Sequence, residues 1–186
     1  IINVLIFMAT ALLPKAGNTI MEYCALSLGT PFFHVYQFIT YMFLHVNFEH
    51  IFFNMFALWM FGRTLEYELG QKRFLTYYMV CGIGAALIQY LTALAFGEFP
   101  LVLVGASGAV MGLLLAFGVL HPNAVIMLLI PPIPMKAKWF VVIYGVIELF
   151  LGWRGVGNVA HFAHVGGMLW GFLLLQWWKQ RGIIRF

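Results

Sequence analysis

Long apolar stretches separated by short polar breaks organise this chain, over residues 1–13, 46–64, 73–95, 106–121, 138–152 and 160–178. None shows the alternation of a lipid-facing β-strand, so each is read as a helix whose backbone polar groups are satisfied internally. Stretches of about 17–25 apolar residues cover a hydrocarbon core about 30 Å thick. The pattern predicts an all-α polytopic membrane protein, a six-transmembrane-helix bundle in a single domain over residues 1–186. The first stretch is short and the chain opens on Ile1 rather than Met, which points to a truncated N-terminus. No cleavable signal-peptide pattern is visible.

Composition strengthens this reading. Hydrophobic residues make up 63% of the chain and charged residues 9%, with a mean hydropathy of +0.95, against roughly 25% charged residues in soluble domains. With the N-terminus cytoplasmic, Arg63, Lys72, Arg73, Lys136, Lys138, Lys179, Arg181 and Arg185 fall inside, and only Lys15 and Arg154 fall outside. This is the basic bias of cytoplasmic loops. The net charge of +4 therefore reflects topology and gives no support to nucleic-acid binding. Short loops and the lack of extra domains suggest a bacterial inner membrane.

Between the stretches, Pro14 to His45 is too long for a tight connection and rich in aromatic residues, so it is expected to lie partly embedded at the outer face. The inner loop from His121 to Pro134 is proline-broken and carries no evident chemistry. Cys24 and Cys81 fall at different depths, too far apart for a disulfide, and read as small apolar residues. Gly108 and Gly112 on the fourth span, and Gly167 and Gly171 on the sixth, stand four apart, a spacing that lets helix backbones approach closely in lipid.

Polar residues inside the spans are few and costly, which marks them as functional candidates. At 1.5 Å per residue, Ser107, His164 and His50 each stand about 20–21 Å from the inner end of their helices, and Asn54 lies one turn deeper on the His50 face. All three helices start from the outer side, so these groups reach one level, in a cavity that must open outward to admit water. A serine hydroxyl is a weak nucleophile until a base removes its proton, and a neutral imidazole suits that work. Ser107, flanked by Gly105 and Gly108, is the candidate nucleophile and His164 the base. The His50 imidazole, the Asn54 amide and the Ser107 backbone N–H are candidate oxyanion partners.

The chain contains no aspartate, so a Ser-His-Asp triad is excluded. Glu49, Glu66, Glu68 and Glu98 are badly placed to replace it. Glu148, the one intramembrane carboxylate, is expected near the outer end of the fifth span in a hydrogen-bonded structural role, leaving a Ser-His dyad. His45, His50, His161 and His164 give four imidazoles near the outer face, a possible metal set. They lack the His-Glu-x-x-His spacing, and no metal or other cofactor is implied.

The motifs together resemble the rhomboid family of intramembrane serine proteases over nearly the whole chain. They are His50-Ile51-Phe52-Phe53-Asn54, Gly105-Ala106-Ser107-Gly108, and His164-Val165-Gly166-Gly167-Met168-Leu169-Trp170-Gly171. Glu66 and Gly70 resemble a structural Glu-x-x-x-Gly pattern of the family. Two positions depart from it: Tyr36-Gln37 stands for a Trp-Arg pair in the first outer loop, and Met111 for an aromatic residue that packs on the catalytic histidine. The resemblance implies a serine endopeptidase acting on transmembrane protein substrates within the lipid bilayer, reached by lateral access past the second and fifth spans. The competing class is a catalytically inactive rhomboid-like protein that binds transmembrane helices.

Overall fold

The computed structural model describes residues 1–127, 132–155 and 160–185. The helices are α1 (Ile2–Leu12), α2 (Pro14–Cys24), the short α3 (Gln37–Thr40), α4 (Phe48–Ala57), α5 (Arg63–Leu69), α6 (Gln71–Phe96), α7 (Ser107–Leu120), α8 (Ala137–Arg154) and α9 (His161–Gln180). A π-helical turn, Leu58–Gly62, joins α4 to α5, so the second apolar stretch forms one rod about 30 Å long. It ends at Gly70, whose φ of +78° turns the chain into α6 in a conformation that glycine adopts without steric cost.

Five of the six expected spans coincide with the α4–α5 rod, α6, α7, α8 and α9. The first does not reach the expected length: α1 is 11 residues, about 16 Å, and folds back on α2, where Gly17 lies against the Thr10 backbone. Among the described residues only α6 is by itself long and apolar enough to cross a bilayer. Two small antiparallel sheets add to the all-helical expectation. Strand β1 (Leu26–Leu28) pairs with β2 (Leu101–Leu103), with Leu26 opposite Leu103, and β3 (Val125–Met127) pairs with β4 (Pro134–Lys136). The second is a hairpin within the inner loop, of which residues 128–131 lie outside the described residues.

Helices α6, α7 and α9 form the centre, where small side chains permit close packing: Cys81, Ala85, Ala86 and Ala116 are fully buried. Gly167 meets the Gly108 backbone, while Gly171 faces Tyr77 and Cys81 of α6. The glycine pairs therefore serve a three-helix contact rather than the α7–α9 contact alone. Cys81 is buried in this core, Cys24 is partly exposed in α2, and both thiols are free.

Polarity is arranged for an apolar surrounding. Helix α8 exposes Trp139, Val142, Val146, Phe150 and Trp153 and buries Glu148 at 4% exposure. A soluble protein rarely shows so continuous an apolar face. Buried polar groups in the interior are bonded to other helices: the Tyr41 hydroxyl donates to the Gly82 carbonyl at 2.7 Å and the Tyr77 hydroxyl to the Gly112 carbonyl at 2.8 Å.

Candidate active site

Ser107 is the first residue of α7, placed there by the loop that follows β2. Gly105 in that loop has φ +118°, a value that L side chains rarely adopt. An added Cβ there would also stand 2.6 Å from His50 Nε2, so Gly105 lets the loop pass directly under the His50 ring. Its N–H donates to the Tyr41 carbonyl at 2.9 Å, which ties the Ser107 loop to the first outer loop.

His164 sits one turn into α9. The start of that helix is capped from α6: the Gln89 side-chain oxygen accepts from the Ala163 N–H at 3.0 Å. Capping one of the orphan N–H groups of a helix start fixes where the first turn begins. His164 Nε2 then lies 2.9 Å from Ser107 Oγ, the spacing of a hydrogen bond. The sequence expectation for this pair is met in position and depth.

On α4, Asn47 caps the helix by accepting from the His50 N–H at 2.8 Å. The Asn54 amide donates to the His50 carbonyl at 2.8 Å. This uses one amide hydrogen and leaves the buried Oδ1 without a protein partner among the described residues. His45 packs edge-on against His50 with ring centroids 4.9 Å apart. Burial, reinforced by His50, lowers the His45 imidazole to about 4, so it is neutral near pH 7 and adds no charge beside His50.

Glu148 belongs to the site itself. Its Oε2 lies 3.0 Å from His164 Nδ1 and 2.7 Å from His161 Nδ1. Depth counted along one helix could not reveal this, because it says nothing of which way a side chain faces or which helices are neighbours. The three side chains are also the one possible metal-binding group among the described residues, though 2.7 and 3.0 Å are hydrogen-bond separations between the ligand atoms themselves. His45 and His50 stand apart from that group. Glu66 is exposed, and what its motif contributes here is backbone: its carbonyl accepts from the Gly70 N–H at 2.9 Å.

A rhomboid domain is matched over residues 33–179. The chain belongs to the rhomboid family, a family of membrane proteins. It is similar to "Rhomboid protein 1, mitochondrial" of Saccharomyces cerevisiae, with 34% identity over 146 residues, 76% of this chain and 41% of the relative. "Presenilin-associated rhomboid-like protein A, mitochondrial" of Danio rerio is 32% identical over 154 residues, 77% of this chain and 39% of the relative. "Rhomboid-like protein 11, chloroplastic" of Arabidopsis thaliana is 41% identical over 78 residues, 42% of this chain and 26% of the relative. The chain thus spans about two fifths of the length of the two mitochondrial relatives.

The two departures within this rhomboid chain have separate outcomes. Tyr36 is exposed and stacks on His34, while Gln37 is fully buried and holds the first outer loop together. Gln37 accepts from the Ser27 N–H at 3.1 Å and the His34 N–H at 3.2 Å, and donates to the Tyr23 and Phe32 carbonyls at 3.0 and 2.8 Å. Gln37→Leu would strand four backbone groups, each costing about 1–3 kcal/mol if left buried and unpaired. We expect a lower melting midpoint in detergent and faster proteolytic nicking between Tyr23 and Tyr36; unchanged resistance would mean that the loop is held elsewhere. Met111, one turn below Ser107, is partly buried against the core.

Proposed function

We propose that this chain is an intramembrane serine endopeptidase that hydrolyses peptide bonds in or next to transmembrane segments of other membrane proteins. The observation that carries the reading is the 2.9 Å contact between Ser107 Oγ and His164 Nε2, inside a fold belonging to a family generally made of such proteases. In the first half-reaction Ser107 Oγ attacks the scissile carbonyl carbon as its proton passes to His164 Nε2. The negative charge that develops on the carbonyl oxygen is met by the Ser107 N–H at the start of α7, where the helix dipole is positive, and by His50 and the remaining Asn54 amide hydrogen. His164 then returns the proton to the leaving nitrogen as the C–N bond breaks. Water attacks the acyl-enzyme by the same route in reverse.

The substrate helix must unwind locally, because its carbonyls are otherwise engaged in internal hydrogen bonds. Access from the side, past the α4–α5 rod and α8, would let it do so without leaving the bilayer. The distribution of Lys and Arg orients both termini to the cytoplasmic side, with the site opening outward. A bacterial inner membrane satisfies that orientation; the mitochondrial and chloroplastic names of the relatives make an organellar membrane the other outcome of a localisation experiment.

The test is labelling of the detergent-solubilised protein with a fluorophosphonate serine probe, alongside cleavage of a substrate carrying one transmembrane helix. The parent is expected to label and cleave, and Ser107→Ala to do neither. A folded parent that neither labels nor cleaves, yet retains the substrate helix on pull-down, would replace this reading with that of a helix-binding rhomboid-like protein.

A further inference from the structure

The Ser107–His164 pair does not end at His164. The opposite ring nitrogen of His164 faces a carboxylate, Glu148, that is 4% exposed and comes from a helix whose other side chains at this level are apolar. A charge so placed costs several kcal/mol unless it is paired. Here it is paired with two imidazoles through one oxygen, Oε2, and Tyr144, one turn earlier on the same face of α8, interacts with it as well.

We propose that Glu148 is the positioning residue of the Ser107–His164 pair, fixing through His164 Nδ1 the tautomer whose Nε2 lone pair accepts the Ser107 proton. This rests on the assignment of Ser107 and His164 as nucleophile and base. An ionised carboxylate only accepts hydrogen bonds, so the 3.0 Å contact places the proton on His164 Nδ1. A neutral imidazole with a proton on Nδ1 has its lone pair on Nε2, the atom 2.9 Å from Ser107 Oγ. When the Ser107 proton moves to Nε2, the resulting imidazolium keeps its Nδ1–H directed at Glu148, which remains ionised and stabilises that cation. His161 donates to the same oxygen at 2.7 Å and so holds the carboxylate in line with His164. The sequence offers a reason for this device. With Met111 where an aromatic residue would pack on the histidine, the ring is held from its Nδ1 side instead.

The first measurement is on the parent protein, with 15N-labelled histidine, assigning the His164 signals by their loss in His164→Ala. The parent is expected to show a pyridine-type Nε2 and a pyrrole-type Nδ1. A proton on Nε2 in the parent overturns the proposal whether or not any variant folds. The second measurement is Glu148→Gln, whose amide can present an N–H to Nδ1 and so favour the wrong tautomer. We expect kcat for the transmembrane substrate to fall by about 10²–10⁴-fold, the scale set by a triad whose acid is made neutral, with KM and melting midpoint unchanged and the two nitrogen signals exchanged. Glu148→Asp, which keeps the charge, is expected to recover part of kcat. Loss of kcat accompanied by a raised KM and a lowered melting midpoint would make Glu148 a packing residue, as would an unchanged kcat. A parent without activity but with the expected tautomer would defeat the protease assignment and leave the Glu148–His164 geometry standing.

Discussion

His164→Ala is expected to lower kcat for a transmembrane substrate by roughly 10³- to 10⁶-fold while leaving substrate binding nearly unchanged, the range seen when a general base acting with a serine nucleophile is removed. Unassisted, the Ser107 hydroxyl keeps its proton at neutral pH and attacks slowly. The remaining contributions, the α7 N-terminus with His50 and Asn54, would still stabilise a developing oxyanion. Residual turnover above the uncatalysed rate is therefore expected, and its further loss in His164→Ala combined with Asn54→Ala would assign it. The measurement is cleavage rate in detergent and in vesicles, with the melting midpoint followed in parallel because His164 is one of two imidazoles bonded to Glu148. Retention of more than a tenth of parental kcat would remove His164 from the role of base.

The convergence of Ser107, His164, His50 and Asn54 was accessible from the sequence for a physical reason. A helix advances 1.5 Å per residue, so depth can be counted from the polar breaks. The same counting is silent on lateral position. Glu148 could be placed on the fifth span but not beside His164, because that depends on the rotation of α8 and on the course of the outer loop between them. Gln89 and Gln37 carry a weaker signal that a sharper reading would use: each is an amide among apolar neighbours, and each proves to be bonded to backbone groups of a different segment. The first stretch misled for the opposite reason. Apolarity says that residues 1–13 avoid water, not that they cross a bilayer, and Pro14 starts a second helix that folds back along α1.

Gly167→Ala is expected to disable the site without touching a catalytic atom. A Cβ at position 167 would collide with the Gly108 carbonyl oxygen and stand 2.7 Å from its carbon. Backbone cannot rotate aside as a side-chain tip can, so relief requires α7 and α9 to separate by something on the order of 1 Å, at about 1–3 kcal/mol for overpacking a close contact. Gly108 follows Ser107 directly, and Gly167 lies one turn beyond His164 on α9, so the separation acts on the 2.9 Å Ser107–His164 contact. A displacement of this size costs about 10²-fold in rate where reacting groups must be held in line. Both the melting midpoint and kcat should therefore fall. Gly145→Ala provides the comparison, since its Cβ would meet only the flexible end of Met168, at 3.3 Å from Cε, and should leave both nearly unchanged. If Gly167→Ala melted and cleaved like the parent, the α7–α9 contact would not set the distance between nucleophile and base. The expected result would instead make the glycine spacing a catalytic requirement, expressed through helix packing in an environment that offers no hydrophobic force to press the helices together.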